Sequence, residues 1–188
     1  MIIGITGKIG SGKSTLAEML VKEGYTEYSF AQPLKKIGEI FGFSKEQLYG
    51  TQEQKLEKHS GWGISSRQFL QKIGTELFRE QLPKILPEMN IQYTVWVDLF
   101  RERYRKNKGN YVISDVRFID EEKAIRQLGG VIIRTQRDNK VTSKSKKEHQ
   151  HKSEMEQEQI KYDYLVNNNM LSKEEVRDYV KYLVQTLQ

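Results

Sequence analysis

The sequence has no cysteine, three prolines, three histidines and no long hydrophobic run. Without cysteine, disulfides and thiolate metal sites are excluded, and three histidines leave little material for a zinc centre. The chain also lacks the run of roughly 18 apolar residues that a membrane span needs, so we expect no membrane partner. Its apolar opening, Met1 to Ile5, leads into a glycine loop and not into a signal-peptide cleavage site. The 188 residues, 37% of them hydrophobic, predict a single domain over residues 1–188.

Negative charge is in deficit, since the net charge is +6 and the isoelectric point is about 9.3. Such an excess indicates an anionic partner, either a nucleic acid or a small phosphorylated ligand. Between Arg134 and Lys152, seven cations stand against two carboxylates, and the rest of the chain is close to balanced. No Phe, Trp or Tyr interleaves with these cations to stack on bases. We therefore expect a small-molecule substrate and no nucleic acid partner.

Strand-like apolar runs alternate with helical patterns along the chain. This alternation is typical of an α/β fold, in which right-handed crossovers produce a parallel sheet with helices on both faces. The predicted strands are Met1 to Thr6, Tyr25 to Phe30, Asn110 to Asp115, Val131 to Arg134 and Tyr162 to Val166. The predicted helices are Lys13 to Lys22, Leu34 to Phe41, one opening at Ser65, Ile91 to Tyr104, Ile119 to Leu128, and Ser172 to about Leu187. On the helix that opens at Ser65, we expect Phe69, Leu70, Ile73 and Leu77 to form a stripe packed into the core.

The segment GKIGSGKS, Gly7 to Ser14, fits the P-loop pattern GxxxxGK[ST] at every fixed position and lies between a predicted strand and a predicted helix. In such a loop, backbone N–H groups and the start of the helix surround phosphate oxygens. Lys13 would bridge the β- and γ-phosphates, and the Ser14 hydroxyl would bind magnesium. The alternative is a glycine-rich turn that only caps a helix. The residues predicted to bind the cofactors, ATP and Mg²⁺, in this loop are Lys8, Gly10, Ser11, Gly12, Lys13, Ser14 and Thr15.

Asp115 closes the third predicted strand, and ligands of open parallel sheets bind at the carboxyl ends of strands. If this strand lies beside the first, the Asp115 carboxylate faces the phosphate site and could hold magnesium through water. Arg117, two residues further on, would place a cation beside the acid. A solvated aspartate at a strand end is the alternative.

A P-loop by itself indicates only a broad class of ATPases, GTPases and kinases. The TKxD element that reads guanine in GTPases is missing, and 188 residues leave no room for the relay domains of motor or helicase ATPases. The basic stretch at about 135–155 stands where small-molecule kinases carry a lid, which supplies cations to the transferred phosphoryl group and excludes water. In this lid we predict that Arg137 is catalytic, in preference to Arg134, which still belongs to the fourth strand.

Four short motifs give the chain a resemblance to a known family: Gln71-x-x-Gly74-Thr75, Trp96, Asp115-x-Arg117-Phe-x-x-Glu121 and His151-Lys-Ser153-Glu154. Together with the P-loop, they resemble the deoxynucleoside monophosphate kinases of bacteriophages and related viruses. The resemblance implies a three-layer P-loop kinase fold with a five-stranded parallel sheet in the order 2-3-1-4-5, a substrate-binding helical region at about 35–105 and a short basic lid. It also implies transfer of the γ-phosphate of ATP to a deoxynucleoside monophosphate (dNMP), giving dNDP and ADP. The expected location is the cytoplasm, or the host cytoplasm if the protein is viral.

The resemblance implies an acceptor site with three parts: a cationic contact, a wall for the base and sugar, and a loop that holds the acceptor near the transferred phosphate. A monophosphate acceptor needs at least one fixed cation, for which Arg67, Arg117 and Lys35 are the candidates. The cationic contact is Lys35. The wall consists of Gln71, Gly74, Thr75 and Trp96, and the loop contains Asp115, Arg117 and Glu121. For Trp96, packing in the core is the alternative. Catalysis is thereby assigned to Lys13, Asp115, Arg117 and Arg137, and magnesium binding to Ser14 and Asp115.

Several positions keep two interpretations. Asp163 to Asn168, with Asn167 as the predicted contact, resemble the element that holds the donor adenine in related kinases, chiefly through backbone atoms. His151 to Glu154 fits a helix N-terminus as well as a catalytic part. Glu76 stands where the family pattern has a polar amide, so the base preference stays open.

Two rival functions remain. Dephospho-coenzyme A kinase shares the P-loop, the fold and a late Asp-x-x-x-Asn element, but it needs a carboxylate soon after the second strand, and Ser29 to Pro33 contains none. A nucleic-acid-binding or polynucleotide-end kinase is disfavoured because the positive charge is confined to one segment. A homodimer stays open, since the helix face with Val176, Tyr179, Val180 and Leu183 suits a core or an interface equally.

Overall fold

The computed structural model of the protein describes residues 1–137 and 152–187, with the side chains of the second range described from Met155 on. Its five strands form one sheet in which every neighbouring pair is parallel. The order β2-β3-β1-β4-β5 confirms the order and the fold class predicted from the sequence. The strands are β1 (Ile2–Thr6), β2 (Thr26–Tyr28), β3 (Tyr111–Ile113), β4 (Val131–Gln136) and β5 (Tyr164–Asn167).

Helices connect the strands within the described ranges. Their bounds are α1 (Lys13–Lys22), α2 (Gln32–Ile40), α3 (Lys45–Tyr49), α4 (Gln52–Leu56), α5 (Ser66–Gln71), α6 (Leu82–Ile85), α7 (Val95–Lys106), α8 (Ile119–Gln127), α9 (Lys152–Gln159) and α10 (Lys173–Leu187). A π-helical segment, Lys72–Gln81, joins α5 to α6, and a 3₁₀ turn, Pro87–Met89, follows α6. None of the helices in these ranges is long and apolar enough to cross a membrane.

The sheet carries helices on both faces. Because side chains alternate along a strand, Ile3 and Ile5 of β1 face one side, where they share a buried cluster with Leu16 of α1 and Val180 of α10. On the other side, α8 packs against β1 and β4. The helix face with Val176, Tyr179, Val180 and Leu183 lies in this cluster, so its apolar pattern is explained by core packing.

The chain divides into two compact units. The first contains Met1–Ser29 and Tyr104–Gln188, and with them the whole sheet; the second is Phe30–Arg103. The second unit spans nearly the residues of the predicted substrate-binding helical region. Its buried centre consists of Phe43, Leu48 and Phe69, against which Leu70 and Ile73 pack.

The prediction that Leu77 belongs to the apolar stripe is wrong. Phe69, Leu70 and Ile73 take part in the core of the second unit, but the Leu77 side chain is 41% exposed. The prediction assumed 3.6 residues per turn throughout, whereas the chain from Lys72 to Gln81 is π-helical. A π-helix closes i→i+5 hydrogen bonds and therefore has a wider turn, which displaces Leu77 from the face that begins at Phe69.

Candidate active site

The P-loop lies between the end of β1 at Thr6 and the start of α1 at Lys13. Gly7, Gly10 and Gly12 have φ angles of 144°, 79° and 101°, and residues other than glycine rarely adopt such positive values. Two of these glycines are also closely packed: a Cβ at Gly7 would clash with the backbone oxygen of Thr135, and one at Gly12 would lie 2.5 Å from Asn168 Nδ2. The turn therefore requires glycine for both conformation and space, as the pattern predicts.

Three residues from distant parts of the first unit hold the P-loop from outside. The Ser11 hydroxyl is buried and lies 2.6 Å from the Thr135 hydroxyl of β4. The Asn168 side-chain amide donates to the Ser11 carbonyl oxygen at 2.5 Å, and the Gln157 amide donates to the Gly7 carbonyl oxygen at 3.1 Å. Thr135 and Gln157 were not identified from the sequence, and Asn168 was identified only as the end of the predicted donor-adenine element, because each acts on the loop's backbone or on a buried hydroxyl.

Lys13 occupies the first turn of α1, where backbone N–H groups have no partner within the helix. Its ammonium donates to the carbonyl oxygens of Gly7 at 2.6 Å and Lys8 at 2.8 Å. Burial first, and then the Arg117 cation, lower the pKa of Lys13 to about 8, while the Asp115 carboxylate opposes the shift. The structure thus brings three of the predicted catalytic residues into one electrostatic neighbourhood.

Asp115 lies just beyond a strand and not in it. β3 ends at Ile113, and Asp115 follows in a turn whose next residue, Val116, donates its N–H to the Ile5 oxygen of β1 at 3.1 Å. The prediction that Asp115 closes the strand is therefore off by two residues, since the strand stops when its pairing with β1 and β2 stops. The carboxylate stays at the carboxyl edge of the sheet, where the Ser29 hydroxyl donates to it at 2.8 Å.

The backbone of Arg117 is held in place by a buried carboxylate. The buried Glu121 carboxylate accepts hydrogen bonds from the N–H groups of Arg117 at 2.8 Å and Phe118 at 3.1 Å, at the start of α8. A carboxylate in this position satisfies N–H groups that the helix leaves unpaired and interacts favourably with the helix dipole. The geometry of Glu121 is that of a residue that fixes the Arg117 backbone.

Gly74, Thr75 and Trp96 form a buried group in the second unit. The indole N–H of Trp96 donates to the Gly74 carbonyl oxygen at 3.1 Å, and its ring lies 5.0 Å from that of Phe78. Gly74 also lies close to α2, because a Cβ there would be 2.5 Å from Leu34 Cδ2. The Gln71 motif and Trp96, separated in sequence, are therefore neighbours within this unit.

The cations predicted for the acceptor have other neighbours in the same unit. The Lys35 ammonium lies 4.6 Å from the centre of the Tyr49 ring. An Arg67 guanidinium nitrogen donates to the Gln52 side chain at 3.5 Å, and Gln71 is half-buried.

Arg134 lies within β4, whereas Arg137 follows the end of this strand. Arg134 donates to the carbonyl oxygens of Gln157 at 3.1 Å and Ile160 at 2.8 Å, and its guanidinium lies 4.6 Å from the Tyr162 ring. Arg137 is exposed one residue after β4. Most of the predicted lid, residues 138–151, and the side chains of His151 to Glu154 lie outside the described residues.

In the predicted donor-adenine element, Asp163, Asn167 and Asn168 each contact different partners. The Asp163 carboxylate accepts from the Arg126 guanidinium at 2.9 Å and from the Ile132 N–H at 2.8 Å, which ties the start of β5 to α8 and β4. Asn167 accepts from the Asn169 N–H at 3.1 Å. Its neighbour Asn168 is the residue that contacts the P-loop.

The side chains at the site are compatible with a magnesium ion that is bound mainly by the phosphates of a nucleotide. In residues 1–137 and 155–187, no group of three or more histidine or carboxylate side chains could hold a metal. Magnesium in nucleotide sites, however, is held by one or two protein oxygens together with phosphate oxygens and water. The Ser14 hydroxyl, exposed in the first turn of α1, and the Asp115 carboxylate are oxygen donors of the type that could complete such a site.

The parallel sheet and the glycine loop after β1 define the class of the protein: it has the fold and the phosphate-binding loop of the P-loop proteins. Two solved structures have the same fold. TT1252 from Thermus thermophilus is 20% identical with a TM-score of 0.53, and the match covers 100% of this chain and 98% of that one. Shikimate kinase from Aquifex aeolicus is 14% identical with a TM-score of 0.52, covering 98% and 96%. At these identities the likeness shows the fold alone.

Sequence similarity narrows the class. Residues 38–177 match the deoxynucleotide monophosphate kinase family. A protein of Acanthamoeba polyphaga mimivirus whose name places it in this family is 43% identical over 145 residues, which are 73% of this chain and 74% of the viral protein. The chain belongs to the deoxynucleotide monophosphate kinase family, which confirms the function predicted from its motifs. The family match begins after the P-loop, which is recognised by its own pattern and geometry.

Proposed function

We propose that this protein transfers the γ-phosphate of ATP, bound with Mg²⁺, to the phosphate of a dNMP, giving dNDP and ADP. The observation that carries the proposal is the position of Lys13, on a P-loop and within electrostatic reach of Asp115 and Arg117, in a member of this family. One cation belongs to the loop that would bind the donor phosphates. The other belongs to the loop predicted to hold the acceptor.

The donor half of the site follows from the P-loop. Backbone N–H groups at the start of α1 would donate to the β- and γ-phosphate oxygens, and the Lys13 ammonium would bridge them. Hydrogen bonds to the Gly7 and Lys8 carbonyl oxygens hold that ammonium over the loop. Magnesium, when bound, would neutralise charge on the donor phosphates, with Ser14 and Asp115 as the residues that would hold it.

The acceptor half needs positioned cations more than a base. An oxygen of the acceptor phosphate would attack the γ-phosphorus while the bond to the β–γ bridging oxygen breaks, and ADP leaves. Because the attacking phosphate oxygen is already ionised, no strong general base is needed. Arg117 would orient this phosphate, and its backbone is fixed by Glu121. Arg137, Lys35 and Arg67 are the further cations in this proposal.

For the base and sugar we propose the wall formed by Gln71, Gly74, Thr75 and Trp96. The contacts that support it are local to the second unit: the Trp96 N–H to the Gly74 carbonyl oxygen and the burial of Thr75 make these residues one ordered group. The ring of Trp96 would present its face or edge to the base.

An acceptor panel tests the proposed reaction. Purified protein is incubated with γ-labelled ATP, Mg²⁺ and, separately, the dNMPs, the NMPs, dephospho-coenzyme A and a 5′-hydroxyl oligonucleotide. We expect label on dNMPs. Label on dephospho-coenzyme A or on the oligonucleotide, with none on any dNMP, would overturn the assignment.

A matched pair of lysine variants tests the donor site. Lys13→Ala removes the phosphate clamp, and we expect transfer to fall by at least about 10²–10³-fold, the usual cost of losing one preorganised hydrogen-bond donor to developing negative charge. Lys22→Ala, at the exposed end of the same helix, is the control and should retain wild-type turnover. Equal turnover in the two variants would show that the loop is not the donor site.

A further inference from the structure

α9 contacts the loops on both sides of the site through three consecutive side chains. The Glu156 carboxylate accepts from the Ile119 N–H at the start of α8 at 3.4 Å, and the Glu158 carboxylate pairs with the Lys8 ammonium of the P-loop at 3.0 Å. Between them, Gln157 reaches two backbone oxygens at once. Its side-chain amide donates to Gly7 O at 3.1 Å and to Val116 O at 3.4 Å.

These two carbonyl oxygens belong to the two loops on which the proposed reaction depends. Gly7 opens the P-loop, and its carbonyl oxygen also accepts from the Lys13 ammonium. Val116 stands between Asp115 and Arg117, and its side chain is fully buried. A single amide therefore connects the backbone that carries the donor clamp to the backbone that carries the predicted acceptor loop.

The chemistry of the amide suits this bridge. A primary amide nitrogen carries two N–H donors, and both partners here are acceptors only. An ionised carboxylate at this position could not donate, and an aliphatic side chain of the same size would leave both carbonyl oxygens without this partner.

α9 itself is held against the rest of its unit, so the bridge has a fixed base. The Arg134 guanidinium of β4 donates to the carbonyl oxygens of Gln157 and Ile160 at 3.1 and 2.8 Å. The Gln157 backbone is therefore tied to β4, while its side chain ties the loops that follow β1 and β3. In the sheet order, β1 lies between β3 and β4.

We propose that Gln157 is a positioning residue: it fastens the P-loop to the Asp115–Arg117 loop and so keeps the groups on the two loops at the separation that phosphoryl transfer requires. The catalytic consequence rests on the proposed function. Gln157 touches neither substrate in this role, because it acts through Gly7 and Val116. Its removal should therefore affect the transfer step more than the binding of either substrate.

The kinetic test uses Gln157→Leu and Gln157→Glu, with Gln159→Leu on the exposed part of the same helix as the control. We expect kcat with a dNMP to fall about tenfold or more in both Gln157 variants, since small displacements of reacting groups have large effects on rate. The KM values and the Kd for ATP should change by less than about threefold, the pattern of an interaction that matters in the transition state. Active-site titration corrects kcat for the folded fraction. A kcat equal to that of Gln159→Leu after this correction would overturn the proposal.

Hydrogen–deuterium exchange tests the fastening without any assumption about the substrate. In both Gln157 variants, amide exchange should rise in residues 7–12 and in residues 114–118 together, and in neither segment in Gln159→Leu. Unchanged exchange in either segment would show that Gln157 does not fasten both loops. If the wild-type protein phosphorylates no dNMP, the proposed function fails, and the exchange result still decides whether the bridge exists.

Discussion

At the scale of single residues, Lys13 carries its charge in surroundings that disfavour it. Burial and the Arg117 cation both lower its pKa, to about 8 from an ordinary value of 10.5. Asp115 opposes this shift. In the absence of anionic ligand, a measurable fraction of the protein would therefore hold Lys13 as the neutral amine in mildly alkaline solution.

This lowered pKa predicts a pH dependence of donor binding. An anionic phosphate favours the ammonium form, so ATP binding should raise the Lys13 pKa and take up a proton above pH about 8. With EDTA present to remove divalent cations, we expect the Kd for ATP to be flat below pH about 8 and to rise, by up to about tenfold per pH unit, above it. Calorimetry in buffers of different ionisation enthalpy measures both the Kd and the proton uptake.

Lys13→Arg is the control for this dependence. A guanidinium stays charged throughout the range, so the slope above pH 8 should disappear even if the affinity at pH 7 is lower. A slope that persists in Lys13→Arg would assign the titration to another group. The same pKa has a consequence for stability: between pH about 8 and 10.5 the unfolded chain binds more protons than the folded one, so the free energy of unfolding should rise with pH there.

At the scale of elements, the segment from Ser66 to Gln81 shows how local geometry changes which residues are presented. Its α-helical first part buries Phe69, and its π-helical second part exposes Leu77. The Gly74 carbonyl oxygen in the second part is bonded by the Trp96 N–H from α7. We therefore expect this contact to stabilise the π-helical segment as well as to order the proposed base wall.

Two Trp→Phe variants in the second unit separate these roles. Trp96→Phe keeps an aromatic ring but leaves a buried carbonyl oxygen without its donor, and we expect the free energy of unfolding to fall by about 1–3 kcal/mol. Trp62 likewise donates to a carbonyl oxygen, that of Phe41 at 2.7 Å, but it is 56% exposed, whereas Trp96 is 6% exposed. Water can replace the Trp62 donor, so Trp62→Phe should cost less.

Denaturant unfolding of the two variants measures this difference in stability. Steady-state kinetics test the proposed base wall through the KM for the dNMP. Because the ring is retained, the KM for the dNMP should stay within about twofold in Trp96→Phe. Equal losses of stability in the two variants would contradict the role of the buried hydrogen bond. A large rise in KM would show that the indole nitrogen itself meets the substrate.

At the scale of the whole molecule, the order of the strands brings the chain after β5 to the P-loop. β4 pairs with β1 on one side and with β5 on the other, and the Asn168 N–H extends the second pairing by donating to Gln136 O at 2.8 Å. The Asn168 side chain then reaches Ser11 and fills the space over Gly12. The late asparagine thus supports the loop at the other end of the sequence.

A double-mutant cycle measures this support. Gly12→Ala should destabilise through its left-handed φ and through the contact with Asn168, and Asn168→Ala should relieve the second cost only. We expect the double variant to be less destabilised than the sum of the singles, with a coupling of about 0.5–3 kcal/mol. Gly129→Ala, at φ 78° in open space, is the matched control and should show no coupling to Asn168→Ala. Urea unfolding measures the free energy of unfolding of every variant. Additive effects of the Gly12 and Asn168 substitutions would contradict the proposed support.

The sequence by itself determined the features whose signals are contiguous. The P-loop was predictable because its glycines, Lys13 and Ser14 lie within one short segment, Gly7 to Ser14, and act largely through local backbone conformation. The strands β1, β3 and β4 were predictable because buried parallel strands are short, largely apolar runs, and the order of the sheet followed from the family resemblance. The family was also predictable, because motifs such as Asp115-x-Arg117 are short and local.

Only the tertiary structure decided which residues hold these local motifs in place. Asn168, Gln157 and Thr135 meet the P-loop across 157, 150 and 124 residues of sequence. Two of them bond to backbone carbonyl oxygens, which every residue has, so no partner pattern exists in the sequence to reveal them. The π-helical turn and the early end of β3 were also decided there, because hydrogen bonding and packing between distant segments outweigh local propensity.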